Sequence, residues 1–515
     1  MMFTVSAQPE MMTDTISIAP RDLSEYRPDV LRDRLGTLRR DIEEYAGMLL
    51  DAWRPTLGAS HFLPSAENLA HYLAFRRADL RDMQPGLQAL GLSTLGRSEA
   101  HVMPSLDAVI VSLARIAGLT EGQYPETEAF TVGTTTLLEN QSRIFGKDPA
   151  GPRTRIMVTL PSEAAQDARL LMAIVGEGAD CVRINCAHDD EEAWAAMIRH
   201  AREAAKALGR EVRVAMDLAG PKIRVREVDA KKDTRLFPGD RFVVTATLAD
   251  KCPLPQVTLS HPNLLAQLVA GTGLWLDDGK LGARVVASSE AAVTAEVTFA
   301  RNKGYKLKPE KGFNLPGLEL HIPALTEGDL SHLGFVAANA DIIGYSFVQT
   351  PADVRRLTDE LSSRIDGRPL PALMLKIETP LAVRNLPRLL VQAGSMMPVA
   401  VMIARGDLAV EIGLPRLSEV QEEILWLCEA AHVPVVWATQ VLETLVKEGA
   451  ATRAETTDAA MGQRAECVML NKGPHIVEAV AFLDGILRRM DRHQTKKSAK
   501  LGALGAWDGP QHLNY

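Results

Sequence analysis

The chain has 515 residues, which is too long for one ordinary domain, so we expect about two to four domains. Hydrophobic residues make up 46% of the sequence and charged residues 24%, the composition of a globular protein with enough apolar side chains for a core. The formal net charge of -8 argues against nucleic acid as a partner, although a local basic site could still bind a small anion.

The cysteines and the first twenty residues indicate the cellular compartment of the protein. The five cysteines show neither paired CxxC spacing nor a histidine cluster, which argues against zinc and favours reduced thiols. The first twenty residues lack the basic and then apolar pattern of a secretory signal. No uninterrupted apolar run reaches the roughly 18 residues that span a bilayer. We therefore expect a cytoplasmic protein without membrane contact.

Residues 1–152 are predicted to form a helical N-terminal region. Apolar residues spaced alternately four and three apart define one helix face: Leu31, Leu35, Leu38, Ile42, Tyr45 and Leu49. This pattern lasts only about three heptads, so packing onto the rest of the chain is favoured over a coiled-coil dimer. A second helix is predicted to start with Ser65 as its N-cap, and a third to cover 106–116 after Pro104.

From residue 153 onward, short β-branched and apolar runs alternate with helical stretches. The runs cover 155–160, 181–186, 212–218, 341–347, 372–378, 398–408, 434–440 and 467–472. Near-continuous apolar strands indicate burial on both faces, as in a parallel sheet covered by helices. Eight such units predict an α/β fold, a (β/α)8 TIM barrel built from 153–221 and 317–490.

The long gap between the third and fourth strands predicts an inserted domain. It exceeds a hundred residues and contains alternating apolar and polar segments with tight-turn sequences at 238–240 and 277–279. We interpret 222–316 as a small β-barrel lid at the mouth of the TIM barrel, where it could close over a substrate. Residues 491–515 are interpreted as a tail, and the basic segment 488–500 as solvated.

Charged residues at the predicted strand ends point to a metal site. The ends carry Arg183, Asn185, His188, Asp217, Lys376, Glu378, Arg405, Asp407 and Thr439. Charges rarely finish buried strands unless they are paired or functional. Glu378 and Asp407 suit a hard cation such as Mg2+, which takes one or two carboxylates. The alternative is a structural salt bridge between Glu378 and either Lys376 or Arg405.

For two further strand ends, the ARGDL segment and Thr439, the sequence does not decide between a functional and a structural role. If a helix starts in the ARGDL segment (404–408), its free N–H groups would bind a carboxylate. Thr439 is either a functional residue or merely the cap of the next helix.

Several segments together resemble the pyruvate kinase family. They are RINCAH (183–188), MDLAGPKIR (216–224), LDDGK (276–280), KGFNLPG (311–317), KIE (376–378), ARGDL (404–408), ATQVLE (438–443) and TRAE (452–455). They follow the family's order, with the lid inserted at the family's place, and cover about 155–490. The resemblance implies phosphoryl transfer from phosphoenolpyruvate to ADP, giving pyruvate and ATP.

The resemblance also implies roles for the residues around the reacting groups. Glu378 and Asp407 match the ligands of the divalent metal, Mg2+ with Mn2+ as an alternative. Lys376 matches the lysine that stabilises the phosphoryl group and the enolate, and Arg183 the arginine that contacts the phosphoryl group. Thr439 matches the threonine near the face where the enolate is protonated.

The same resemblance implies which residues bind the substrate carboxylate and which residues face the nucleotide. The backbone of Gly406 and Asp407 matches the site for the substrate carboxylate. Asn185, His188 and Arg224 match residues on the nucleotide-facing side.

The monovalent-cation site of the family is not retained. Ala187 and Leu218 stand where most members have a serine and a threonine, so they offer no side-chain oxygens to K+. Lys222 stands where the family has a glutamate, and members with lysine there are generally K+-independent. We expect Lys222 to substitute for the ion as a compact point charge, and K+ not to be required.

Three other departures concern activity and control. The family's SGET segment is replaced by Asn471–Pro474, and its first-strand loop is shortened at 159–164, next to the nucleotide side. The family's C-terminal regulatory domain is expected to be absent, so subunit contacts in the expected homo-oligomer must differ.

Two other functions remain open beside the kinase. One is a metal-dependent lyase or aldolase that acts on an oxo-acid through an enolate. The other is a catalytically impaired regulatory protein, which the altered 471–474 segment favours. The nucleotide preference, the effectors and the role of the N-terminal helices are not specified by the sequence.

Overall fold

The computed structural model describes residues 26–147, 153–289, 291–320, 322–365, 367 and 369–500. The helices in this part of the chain are α1 (Pro28–Leu57), α2 (Leu63–Phe75), α3 (Gln84–Ala89), α4 (Val102–Ile116), α5 (Val132–Phe145), α6 (Ala168–Gly176), α7 (Glu191–Leu208), α8 (Glu327–Asn339), α9 (Pro351–Ser362), α10 (Pro380–Gly394), α11 (Arg405–Ile412), α12 (Leu414–Ala430), α13 (Glu443–Glu448), α14 (Arg453–Gly462) and α15 (Ile476–Asp491).

The strands follow the same chain order. They are β1 (Arg155–Thr159), β2 (Cys181–Asn185), β3 (Arg213–Asp217), β4 (Val225–Asp229), β5 (Arg241–Thr245), β6 (Gln256–Leu259), β7 (Gly273–Leu276), β8 (Leu281–Ser288), β9 (Ala292–Ala300), β10 (Phe313–Asn314), β11 (Ile342–Tyr345), β12 (Ala372–Ile377), β13 (Val399–Ala404), β14 (Val435–Ala438), β15 (Cys467–Leu470), β16 (Gln494–Thr495) and β17 (Ser498–Ala499).

Eight parallel strands close into a barrel in the order β1-β15-β14-β13-β12-β11-β3-β2. All eight predicted strands are present, and the predicted α/β barrel fold is confirmed. The strands end before the predicted runs do: β12 stops at Ile377, before Glu378, and β13 stops at Ala404, before Arg405. Glu378 therefore directly follows its strand, and Arg405 and Asp407 lie in α11, whereas Arg183, Asp217 and Lys376 remain within their strands.

The floor of the barrel is filled by small and flexible apolar side chains. Met157, Ala215, Met374 and Ala400 form one buried cluster there with Phe145 from the end of α5. The N-terminal region thus contributes a side chain to the barrel's own core. The Cys181 thiol, also in this cluster, donates a hydrogen bond to the Phe145 carbonyl at 3.7 Å.

The inserted segment forms a separate sheet of seven strands in the order β10-β7-β8-β9-β5-β6-β4. Its two ends are joined by hydrogen bonds from Val225 N–H to the Lys311 carbonyl and from Phe313 N–H to the Ile223 carbonyl, both 2.9 Å. The sheet is therefore nearly closed and has its own hydrophobic cluster. Both connections to the TIM barrel leave from the place where the β4 and β10 ends are hydrogen-bonded to each other, so the lid is attached by two adjacent chain segments.

The N-terminal helices pack against the chain itself. Leu31, Leu35, Leu38 and Ile42 on α1 are buried, as the preferred interpretation of their spacing requires. The prediction for Ser65 is wrong, because α2 already begins at Leu63. The Ser65 hydroxyl instead hydrogen-bonds the ring of His432, at 2.9 Å, and so ties α2 to the barrel.

The basic segment 488–500 is exposed only in part, so the prediction of a solvated segment is wrong for its lysines 496 and 497. After α15 the chain turns back as a β16–β17 hairpin. Lys496 forms an ion pair with the buried Glu466 below β15, and Lys497 pairs with Glu99 of the N-terminal region. The lysines are drawn in because Glu466 and Glu99 would otherwise be buried without a counter-charge. The predicted tail residues 501–515 and the predicted signal-free first residues lie outside the described part of the chain.

No helix among the described residues is long and apolar enough to cross a membrane. The five cysteines, all in the described part, are free thiols, and Cys181, Cys428 and Cys467 are buried.

Candidate active site

The carboxyl ends of the barrel strands bring four charged side chains into one buried network. Arg183 at the end of β2 donates to Asp217 at the end of β3, with 2.8 Å between Nε and Oδ2. The Lys376 ammonium on β12 lies 3.3 Å from the same Asp217 oxygen and 3.2 Å from Oε1 of Glu378. Two cations and two anions therefore alternate along one side of the barrel's carboxyl end, from β2 and β3 across β11 to β12, although residues 183 and 378 are far apart in the sequence.

Asp217 is the anchor of this network. Burial alone would raise its pKa, but the adjacent Arg183 and Lys376 outweigh burial and hold the pKa below its ordinary value. The carboxylate is fully buried, and its second oxygen, Oδ1, has no hydrogen-bond partner among the described residues. The ionised Asp217 carboxylate therefore holds both cations in position.

Lys376 is a charged lysine in a nearly dry environment, only 8% exposed. Burial lowers its pKa, but Glu378 and Asp217 raise it more, so the pKa stands above the ordinary lysine value. Its ammonium also donates to the Ser346 hydroxyl at 2.7 Å, and that hydroxyl donates to the Leu218 carbonyl at 2.7 Å. The ammonium is thus oriented by three groups and remains available to a negatively charged substrate.

The two predicted metal ligands lie close enough to influence each other. Burial raises the pKa of Glu378, Lys376 lowers it, and the charge of Asp407 raises it again. Glu378 also accepts the backbone N–H of Phe347 at 2.5 Å. The alternative salt bridge of Glu378 with Lys376 is present, but Arg405 forms its ion pair elsewhere, with Asp458.

Lys222 reaches from the lid hinge to one of these ligands. Its ammonium lies 2.6 Å from Oδ1 of Asp407 and 3.9 Å from Asp278 on the lid. Although burial lowers the pKa of Lys222, Asp407 raises it further, so the net shift is upward. The lysine therefore links the hinge, the lid and the barrel through charge.

Thr439 stands in a strained loop that faces the ARGDL segment. Its φ of 66° is in the left-handed region, which is costly for a β-branched residue. The Thr439 hydroxyl accepts the Gly406 N–H at 2.7 Å, and Arg405 holds the loop by donating to the Thr439 carbonyl at 2.8 Å. Thr439 does not cap α13, whose first residue is Glu443. The functional interpretation of Thr439 therefore remains, while the helix-cap alternative is wrong.

The helix expected after ARGDL is present as α11, with Gly406 and Asp407 in its first turn. Since the Gly406 N–H already binds Thr439, a carboxylate at this end would share the turn with that hydroxyl.

Of the residues predicted to face the nucleotide, His188 lies near two cations, Lys472 and the predicted Arg224. Burial lowers the pKa of His188, and the nearby charges of Lys472 and Arg224 lower it further. Lys472 comes from the altered 471–474 segment, so that change adds a positive charge on this side of the site. Asn185 is engaged locally, since its side-chain oxygen accepts the Ala187 N–H at 3.2 Å.

Three participating residues were missed from the sequence. The Thr159 hydroxyl accepts from Arg183 at 3.0 Å, and Ser346 binds Lys376. Gly344 lies beside Asp217 on the neighbouring strand, and a Cβ there would come within 2.0 Å of the Asp217 carboxylate. Thr159 and Ser346 both stand at or next to strand ends, so the rule that identified the charged residues could also have found them.

A cavity of about 430 Å3 adjoins this network at the lid hinge. Lys222, Asn314 and Phe347 line it together with Glu411 of α11. Burial raises the pKa of Glu411, and Asn314 partly offsets this by donating to its carboxylate at 3.0 Å. The hinge strands and α11, which carries the predicted metal ligand Asp407, thus meet around one concave space.

Among the described residues, no group of three or more His, Cys, Asp or Glu side chains is arranged to hold a metal ion. The donor set at Glu378 and Asp407 is a pair of carboxylates, which suits a cation that takes its other oxygens from a substrate and water.

Comparison with known proteins agrees with this geometry. A family model described as the pyruvate kinase barrel domain matches residues 151–476. Pyruvate kinase of Corynebacterium glutamicum is 34% identical over 339 residues, covering 63% of this chain and 67% of that protein. Pyruvate kinase of Methylorubrum extorquens is 33% identical over 354 residues, covering 66% and 69%. A crystal structure of a pyruvate kinase from Cryptosporidium parvum aligns with a TM-score of 0.59 and 27% identity, covering 68% of this chain and 70% of that one.

Proposed function

This chain belongs to the pyruvate kinase family of phosphotransferases, and we propose that it transfers the phosphoryl group of phosphoenolpyruvate to ADP, giving pyruvate and ATP. The observation that carries the proposal is the buried alternation of Arg183, Asp217, Lys376 and Glu378. Phosphoryl transfer needs positioning and charge neutralisation more than a nucleophile, and this network offers two fixed cations.

Arg183 and Lys376 act on the charges of the reacting groups. Both are held by Asp217, so neither has to reorganise when negative charge moves from the phosphoryl oxygens to the enolate. A charged lysine in a dry site interacts more strongly with such an anion than it would in water.

Glu378 and Asp407 would hold the divalent cation, Mg2+ or alternatively Mn2+. When bound, that ion supplies further neutralisation of the substrate's negative charge. The requirement for a divalent cation is part of the proposal.

Thr439 and the start of α11 serve the remainder of the substrate. The first turn of α11, at Gly406 and Asp407, would receive the substrate carboxylate through backbone N–H groups. Thr439 would stand near the face where the enolate is protonated, in a loop fixed by Arg405.

The nucleotide would lie along Asn185, His188 and Arg224, with Lys472 as an additional cation. Burial, Lys472 and Arg224 lower the pKa of His188, so a neutral imidazole is available there to donate or accept a hydrogen bond.

We also propose that the reaction does not require K+. Ala187 and Leu218 have no side-chain oxygens, and Leu218 is buried. Lys222 would supply the positive charge in place of K+. Its ammonium lies 2.6 Å from the Asp407 carboxylate and 3.9 Å from the carboxylate of the lid residue Asp278. We further propose a cytoplasmic homo-oligomer, in keeping with the free thiols of the described chain.

The test is a coupled assay on the full chain with phosphoenolpyruvate, Mg2+ and several nucleoside diphosphates, with and without K+. We expect ATP and pyruvate in equal amounts, and rates that change by less than about twofold on adding K+. The Lys222→Glu variant, which restores the family's usual residue, should gain K+ stimulation. Lys231→Glu, an equal charge change at an exposed lid residue, serves as its control.

Other outcomes would contradict the proposal. Pyruvate released without ATP would indicate the lyase or aldolase. Binding of phosphoenolpyruvate or nucleotide without turnover would indicate the regulatory protein. A steep K+ requirement in the wild-type chain would overturn the role of Lys222 alone.

A further inference from the structure

The lid carries a second pocket, whose lining shares no residue with the buried network around Lys376. Its volume is about 800 Å3, and it is built around the segment 301–311. This segment contains five lysine or arginine residues and one acid, in a chain whose net charge is -8. We call it the basic lid pocket. A cluster of positive charge in a protein of negative net charge favours the binding of an anion at that place.

Three cations of the basic lid pocket are available to a ligand. Arg301, Lys303 and Lys308 all line it and are exposed. None of them forms an ion pair or side-chain hydrogen bond with a residue that the structure describes. Like charges placed close together repel one another, and an anion bound among them would relieve that repulsion.

The loop that presents these cations is held in one shape. Arg235 donates to the carbonyls of Lys303 and Gly304, at 3.1 and 3.4 Å. Leu236 and Tyr305 exchange two backbone hydrogen bonds of 2.8 and 2.9 Å, which anchor the loop to the lid. A concave site with fixed backbone loses little conformational entropy when a ligand binds.

Donors of other kinds also line the pocket. The Tyr305 side chain is 8% exposed, and burial together with the adjacent Asp277 carboxylate raises the pKa of its hydroxyl. The one carboxylate in the lining, Asp277, is already neutralised by Lys280 at 3.1 Å and Lys311 at 3.2 Å. The pocket therefore offers donors and positive charge but little to attract a cation.

We propose that the basic lid pocket is an anion-binding site for an oligophosphate chain of three or more phosphate groups. Several lysines spread over a large pocket suit a chain of phosphates better than a single carboxylate, because each phosphate brings its own charge. The chain could be free or part of a nucleotide. Phe299, exposed at the edge of the pocket, would offer a stacking surface to a base.

The pocket is connected to the catalytic cleft. Asp277 in the pocket is followed by Asp278, which lies 3.9 Å from the Lys222 ammonium. An oligophosphate that draws Lys280 and Lys311 away from Asp277 would change the charge at the lid's contact with Lys222.

Calorimetric titration of the full chain with inorganic tripolyphosphate tests the proposal. We expect binding that weakens steeply with salt. The triple variant Arg301→Ala/Lys303→Ala/Lys308→Ala should weaken it at least about tenfold. The control triple Lys231→Ala/Lys232→Ala/Lys251→Ala removes three exposed lid cations outside the pocket and should leave the affinity unchanged. Lys376→Met should also keep it, which separates this site from the catalytic network.

Displacement of tripolyphosphate by ATP identifies the source of the phosphates. If Phe299→Ala raises the ATP concentration needed while tripolyphosphate affinity is unchanged, the ligand is a nucleotide. If ATP displacement is also unchanged, the phosphates alone are recognised. Equal losses in both triple variants, or binding of single-stranded RNA but not of tripolyphosphate, would overturn the proposal.

Discussion

Replacing Lys376 with methionine separates the catalytic from the structural role of the buried network. The substitution keeps most of the side-chain volume but removes the charge that lies between Glu378 and Asp217. Glu378 is 2% exposed and would be left with only the Phe347 N–H as a donor. Asp217 would still have Arg183.

The expected loss of stability follows from these contacts. Removing one partner of a buried ion pair costs about 3–5 kcal/mol of folding stability. Because the Arg183–Asp217 pair remains, we expect a loss of about 3 kcal/mol for Lys376→Met. Without the ammonium the pKa of Glu378 rises further above its already raised value. The protonated carboxyl tolerates burial, so the stability difference between wild type and variant should narrow as the pH falls and widen as it rises.

The expected loss of catalysis has a different origin from the loss of stability. A preorganised charge that acts on the transition state is worth about 100- to 1000-fold in kcat. The assay is phosphoenolpyruvate-dependent ATP formation, with urea unfolding measured on the same samples. Lys496→Met is the matched control, because the Lys496 side chain is only 13% exposed and is also paired, with Glu466, but it lies at the opposite end of the barrel. It should lose stability and keep kcat.

Two outcomes would refute this reasoning. If Lys376→Met loses stability but keeps full kcat, Lys376 is structural and the catalytic assignment is wrong. If its stability equals that of wild type at every pH, the network does not hold Glu378 as described.

Three other changes test the surroundings of the network. Ser346→Ala removes an acceptor 2.7 Å from the Lys376 ammonium, so kcat should fall about tenfold in the same assay with little change in Tm. Gly344→Ala would place a Cβ 2.0 Å from the Asp217 carboxylate, and urea unfolding should show a loss of at least about 2 kcal/mol; no loss would mean that the strands can separate freely. Burial raises the pKa of Glu429 to about 7, so the folded protein favours its protonated form. The stabilisation is complete below the ordinary glutamate pKa and is lost as the pH rises through about 7. The wild-type Tm should therefore fall between pH 5 and 8 relative to that of Glu429→Gln, and parallel curves would contradict this.

The strain at Thr439 has a local source of support. Arg405 binds the carbonyls of both Ala438 and Thr439, pairs with Asp458, and stacks on the Trp437 ring at 4.4 Å. The sequence placed Arg405 among the residues around the metal. Its guanidinium instead holds the loop that carries Thr439, so its contribution is to position that side chain.

The sequence by itself determined the architecture and predicted the place of the candidate site. A parallel strand covered by helices must be apolar on both faces, so each buried strand was visible as a run of residues. The interruption after the third run marked the lid. A charge at the end of such a run has few explanations other than a partner or a function, which identified Lys376, Glu378 and Asp407.

Only the tertiary structure decided which charges meet. Lys222 and Asp407 are 185 positions apart in the sequence, and no local pattern indicates that their side chains lie 2.6 Å from each other. The same holds for Lys496, whose segment has the composition of a solvated tail and yet is buried against Glu466. The partner of a charged side chain depends on distances and burial created by the whole fold, and those quantities do not exist before the chain has closed its barrel.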